Sequence, residues 1–286
     1  MQNILVIGAT GTVGSELVSC LLEANVHVRA LLRDPDAARL PPDIERVRGD
    51  LTDPASIDRA LANIDAAFVV WTAPPATAPA VIDKLAAAVP RLVLLTAPHR
   101  TPHPFFQQPN PMRAMFSAIE DHIASTRLDY CFIRPGMFAS NCLDWWGPAF
   151  RSGEVVRWPL LEAPTAPIDP RDIAAVAARA LLDPPAGNDF IITGPESLTQ
   201  REQLQIIADT LGVPLECEDL TADEAKRTLP GFEMLLAAWT AALGQPAYVT
   251  TTVADLVGTP RAFREWAEHN AAAFRATWSG TRESAS

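Results

Sequence analysis

Positions 4–7 read Ile-Leu-Val-Ile without a break, an apolar run long enough for a strand buried on both faces. Val13, Leu17, Val18, Leu21 and Leu22 then recur at helical spacing. Strand-like runs return at 26–32, 44–47, 66–71, 92–96, 130–134 and 189–193. Helix candidates lie between most of them, at 54–62, 78–88, 110–125 and 170–182. Strands that alternate with helices predict right-handed crossovers and a doubly wound parallel sheet, an α/β fold with helices on both faces.

The pattern changes at 141–167, a stretch rich in Trp, Pro and Gly with no sustained period, which reads as loop and short pieces. Beyond 193 helices dominate, at 199–211, 222–228, 232–243 and 259–276. The expected organisation is a core of residues 1–145 plus 165–196. A smaller, mostly helical C-terminal subdomain on the substrate side takes 146–164 plus 197–286.

Glycines at 8, 11 and 14 sit between the first strand and the first helix. In that setting Gly8 permits the tight turn, Gly11 lets the backbone approach a pyrophosphate, and Gly14 lets the helix pack closely on the sheet. The helix N-terminus adds unpaired N–H groups and a positive dipole end. A dinucleotide-binding Rossmann fold follows. A guanidinium at the end of the second strand accommodates a 2′-phosphate, whereas a carboxylate there accepts from a ribose hydroxyl. Arg33 holds that place, with Arg29 nearby, so NADP is favoured over NAD; Asp34, next to it, is the residue able to claim the hydroxyl instead.

The chain has 286 residues, of which 48% are hydrophobic, enough for a full core and incompatible with disorder throughout. Its apolar runs are strand-length, so no membrane span is expected, and no signal-like segment precedes the first strand. Four scattered cysteines argue for a reducing, cytoplasmic setting and against a zinc site. A net charge of −11 disfavours nucleic acid as a partner, because its phosphates would be repelled. A homodimer is compatible with all of this.

The blocks Gly8-Ala-Thr-Gly-Thr-Val-Gly14, Arg33-Asp34, Gly49-Asp50-Leu51, Ile133-Arg-Pro-Gly-Met-Phe138 with Asn141, Ile168-Asp-Pro-Arg-Asp-Ile173 and Phe190-Ile-Ile-Thr-Gly-Pro195 together resemble the NmrA-like branch of the atypical short-chain dehydrogenase/reductases. The resemblance runs nearly end to end. It implies that Gly8, Thr10, Gly11, Thr12, Val13 and Gly14 hold the pyrophosphate and that Arg33 faces the 2′-phosphate. It places Asp50 and Leu51 about the adenine and Trp71, Thr72 and Ala73 under the ribose. Thr96, with Pro135, Gly136 and Met137, would line the nicotinamide.

Ordinary short-chain dehydrogenases protonate their substrate with a Tyr activated by a Lys four residues on. The chain has two tyrosines and two lysines; Tyr130 is followed at that spacing by Arg134 and Tyr248 by Thr252, so the dyad is absent. The helix before the Arg-Pro-Gly strand, where some NmrA-like reductases carry a single Lys, has none. Thr96 and His99 remain as catalytic candidates, Thr96 at the end of its strand and His99 with a suitable intrinsic pKa; His103 lies nearby. Arg134 is expected to pair with a carboxylate, Glu120 being one partner in reach. Phe105, Phe138, Trp145, Trp146 and Trp158 are the expected lining for a hydrophobic, aromatic or polycyclic ligand.

An NADP-dependent reductase of a carbonyl, quinone, enone or imine is the function these readings favour. Hydride transfer to such acceptors needs positioning more than a strong acid. The alternatives are a non-catalytic NADP-binding sensor of a partner protein, and an isomerase or cyclase that keeps the cofactor site.

Overall fold

The computed structural model describes residues 2–110 and 112–275. Parts of the expected elements that fall at 1, 111 and 276–286 lie outside the described residues. Seven strands form one parallel sheet: β1 (Asn3–Ile7), β2 (His27–Leu32), β3 (Glu45–Arg48), β4 (Ala66–Val70), β5 (Arg91–Leu95), β6 (Asp129–Pro135) and β7 (Asp189–Ile192). Their spatial order is β3-β2-β1-β4-β5-β6-β7, so the direction of winding reverses between β1 and β4. Ligands of open parallel sheets bind beyond the carboxyl ends of the strands at such a reversal.

The pleat sends alternate residues of each strand to opposite faces. Ile4 and Val6 of β1 face Leu17 and Leu21 of helix α1 (Thr12–Glu23) and Ile173 and Ala177 of the helix Pro170–Leu182. Leu5 and Ile7 meet the other layer, where Val81 and Leu85 of the helix Ala78–Ala88 and Ile119 and Ile123 of the helix Arg113–Ser125 pack. A third core, built around Trp146, Trp158, Trp239, Phe263 and Trp266, belongs to the short elements after β6 and to the C-terminal helices.

Gly14 shows why the first turn must be glycine-rich. A Cβ at that position would stand 2.0 Å from the carbonyl oxygen of Gly8, so any larger residue would push α1 off the strand it follows. Gly8 itself has φ +95, a conformation costly for other residues.

Several elements depart from the sequence expectation. The helix expected at 54–62 is a 3₁₀ turn, Pro54–Ile57, followed by a single helical turn, Asp58–Leu61. Among the described residues between β5 and Arg113 there are turns and bends but no helix, so the helix expected from 110 starts at Arg113. The helix expected at 259–276 is two, Phe263–His269 and Ala271–Arg275, because Asn270 closes the first with its backbone N–H on Trp266 O. The strand Cys217–Leu220, parallel to Val156–Pro159, has no counterpart in the expectation. Among the described residues no helix is long and apolar enough to cross a membrane.

Candidate active site

Two adjoining cavities open at the carboxyl ends of the strands. The larger, about 630 Å³, runs from the β1–α1 turn across the ends of β2 and β4. Gly8, Thr10, Gly11, Thr12, Val13, Gly14, Arg33, Asp50, Leu51, Thr72 and Ala73 all line it. The first turn of α1 contains no acidic residue, and its N-cap, Gly11, makes no side-chain cap bond. Backbone N–H groups of that turn therefore face the cleft with the positive end of the helix dipole.

Arg33 is exposed at the cleft edge and has no hydrogen-bond or ion-pair partner for its guanidinium among the described residues. Asp34 has turned away: Arg48 Nη2 lies 3.5 Å from Asp34 Oδ1 and 3.6 Å from Asp36 Oδ2, while Arg48 Nη1 donates to Arg33 O at 2.9 Å. Arg29 is committed elsewhere, its Nη1 donating to the carbonyls of Ala60 and Ala62.

The second cavity, about 360 Å³, shares Phe138 with the first. Thr96, His99, Phe105, Pro135, Gly136 and Met137 line it, opposite Met234, Leu235 and Ala238 of the helix Glu233–Ala242. Gln108, Asn110 and Asn141 supply amides to the same wall. Of these, the helix residues and Gln108 and Asn110 escaped the sequence reading. The apolar stripe of 234, 235 and 238 was visible as a helix face, yet nothing local said which cavity it would close.

Behind this cavity lies a buried ionic network. Glu120, 1% exposed, receives Arg134 in a fork, Nη1 to Oε1 at 2.8 Å and Nη2 to Oε2 at 2.9 Å. Arg134 also donates to Asp189 and to Ala97 O, so the expected pairing with Glu120 is present with a second carboxylate added. Arg100 Nε stands 3.2 Å from Glu120 Oε2. Both carboxyl oxygens of Glu120 thus serve as acceptors for guanidinium N–H groups. Thr96 Oγ1 donates to Glu120 Oε1 at 2.5 Å, so the threonine proton points into the protein and its oxygen lone pairs remain for a ligand.

His99 is 4% exposed. Its Nδ1 lies 3.0 Å from Ala97 O and its Nε2 3.1 Å from Ser117 Oγ. The carbonyl can only accept, which assigns the proton to Nδ1 and leaves Nε2 to accept from Ser117. Burial holds the imidazole pKa below its ordinary value, with Glu120 opposing that shift in part. Both its nitrogens are engaged within the protein.

Four residues named from the sequence line neither cavity. Trp71 is buried in the sheet layer and donates its indole N–H to Ala73 O at 2.8 Å. Trp145, Trp146 and Trp158 pack on one another and on Trp239 inside the third core. Trp158 donates to the buried Gln200 Oε1 at 2.6 Å.

A model of an NAD(P)H-binding family matches residues 8–184. The chain is 37% identical to a (4-alkanoyl-5-oxo-2,5-dihydrofuran-3-yl)methyl phosphate reductase of Streptomyces griseus, over 95% of this chain and 99% of the relative. It is 32% identical to an NAD(P)H azoreductase of Xenophilus azovorans, over 96% and 99%. Among solved structures, the triphenylmethane reductase of Citrobacter sp., crystallised with NADP(H), superposes with a TM-score of 0.77 at 18% identity, covering 94% of this chain and 99% of that one. The chain belongs to this NAD(P)H-binding family, within its NmrA-like branch of atypical short-chain dehydrogenase/reductases.

Proposed function

We propose that the chain is an NADPH-dependent reductase of small, flat, conjugated acceptors: quinones, enones, imines or azo compounds. The observation that carries this reading is the apolar 360 Å³ cavity adjoining the 630 Å³ cleft at Phe138, with no protein group in it set up as a strong acid. The two relatives reported above are named as a reductase of an alkanoyl-oxo-dihydrofuranyl methyl phosphate and as an azoreductase, and both names denote compounds that carry conjugated double bonds.

The residues present fit the cofactor. Gly11 and the uncapped α1 turn would hold the pyrophosphate, and Arg33, unpaired at the cleft edge, would take the 2′-phosphate. Asp34 faces Arg48, so it is withdrawn from a ribose hydroxyl, which favours NADP over NAD. The nicotinamide supplies a hydride when bound. The chain's own part is positioning. Thr96, its proton held by Glu120, offers an acceptor that orients a donor on cofactor or substrate. Phe105, Met137 and Phe138 exclude water and sandwich a flat ring. Acceptors that gain a proton from solvent after reduction suit a site in which Thr96 and His99 both keep their protons inward.

The test is Arg33→Ala, followed by calorimetry and by loss of nicotinamide absorbance with a quinone and an azo dye. Loss of charge-assisted hydrogen bonds of roughly 1.5–3 kcal/mol weakens NADPH about 10- to 150-fold and leaves NADH nearly unchanged. Equal losses for both coenzymes, or no oxidation with any conjugated acceptor, would overturn the reading.

A further inference from the structure

A third cavity lies on the far side of the helix Glu233–Ala242, a groove of about 520 Å³. Its walls are mostly apolar, Leu160, Leu220, Leu236 and Ala237 among them. It is not isolated. Gln108 lines this groove and the 360 Å³ cavity alike, at the edge of the helix that lies between them. Among the described residues the Gln108 side chain makes one hydrogen bond, Nε2 to Pro104 O at 2.9 Å.

The groove has two features that its own packing does not require. Leu160 is one of three non-glycine residues with positive φ among the described residues, at +56. Three hydrogen bonds hold it there: its N–H donates to Asp219 Oδ1, and its carbonyl accepts from Ala163 N and Gln200 Nε2. These bonds fix the position of the Leu160 side chain in the groove wall. The second feature is Lys226, which has no hydrogen-bond or ion-pair partner among the described residues and lines the groove. The other lysine, Lys84, is paired with Asp58. Glu233, also on the groove, is accounted for by the first turn of its helix and accepts from Gly231 N at 3.4 Å.

We infer that the substrate site continues past Gln108 into this groove, so that the substrate carries an apolar chain ending in an anionic head group beside Lys226. This extension rests on the reductase reading of the adjoining cavity. The conjugated part of the substrate would sit at Thr96, the chain would pass Gln108, and the apolar walls would bury it.

Calorimetry of the NADPH-loaded chain with hexanoate, decanoate, dodecanoate and dodecyl phosphate tests the extension. Affinity rises roughly twofold per added methylene, below the fourfold of a fully buried one because a groove leaves part of the chain in water. Lys226→Ala weakens dodecanoate and dodecyl phosphate about three- to tenfold while dodecan-1-ol is unaffected. Glu233→Gln tightens both acids about twofold. Ala237→Trp, which fills the groove from the helix face, abolishes the dependence on chain length. A flat length series overturns the extension, as does Ala237→Trp binding that matches the parent. A Lys226→Ala effect equal for acid and alcohol also overturns it. NADPH titration of the same samples separates the two readings. Absence of NADPH binding removes the reductase, whereas normal NADPH binding with a flat acid series removes the extension alone.

Discussion

Arg134 and Glu120 are each 1% exposed, and neither tolerates loss of the other. Removing the Glu120 carboxylate from the buried fork leaves Arg134 with Asp189 as its remaining carboxylate partner, so the cost lies toward the low end of the about 3–5 kcal/mol of a broken buried pair. Glu120→Ala is expected to lower stability by that amount in urea titration, and Glu120→Leu combined with Arg134→Met to recover much of it. A double variant as unstable as the single one would deny the pairing its structural part. His99 gives a pH dependence. Burial, the dominant influence, lowers its pKa from 6.5 against the pull of Glu120. As acid is added, the unfolded chain takes up a proton near that value while the folded chain resists, so stability falls below about pH 6.5. His99→Gln should reduce the drop in melting temperature between about pH 7.5 and 5.5. His103, also lowered by burial, keeps part of the slope. Identical slopes in the variant and the parent would refute this account.

The β1–α1 unit is where local sequence and tertiary packing agree. A Cβ at Gly14 meets backbone at 2.0 Å, whereas one at Gly11 meets it only at 3.4 Å. Gly14→Ala should therefore unfold or severely weaken the protein. Gly11→Ala should fold and lose NADPH affinity, with circular dichroism and calorimetry separating the two; equal stability of both would contradict the geometry. This unit was legible because an apolar run, a glycine spacing and a 3.6-residue period coincide in one stretch. Cys217–Leu220 was not: three of its four residues are partly or fully exposed, and a two-strand pairing with Val156–Pro159 leaves no alternating signature. In the site, the Arg134–Glu120 pair could be foreseen, since a buried arginine on a central strand demands a carboxylate. Its second partner Asp189 comes from the start of the neighbouring strand and the Ser117 contact of His99 from within the helix Arg113–Ser125, and no spacing in the sequence encodes them. The tryptophans misled for a related reason. Trp145, Trp146 and Trp158 advertise an aromatic wall, yet hydrophobicity alone does not distinguish the lining of a cavity from the seam between two layers.

For the molecule as a whole, coenzyme and folding are linked. The cleft is assembled from β1, β2, β4 and the turns that follow them, so its geometry exists only when the sheet is complete. Ligand at about 100 times its dissociation constant adds about 2.7 kcal/mol. A melting temperature roughly 5 °C higher with NADPH is expected, and a smaller rise with NADH at equal concentration. No shift with either in scanning fluorimetry would break the link. The tryptophan core adds a consequence of another kind. Trp145 and Trp158 stack at 5.6 Å, Trp239 stands edge-on to Trp145 at the same separation, and Trp239 rides on the helix that turns Leu235 and Ala238 toward the substrate cavity. Indoles this close share their electronic excitation. Occupancy of the neighbouring chamber thus becomes visible in the ultraviolet emission and ellipticity of the unlabelled protein, an optical gauge installed by the packing itself.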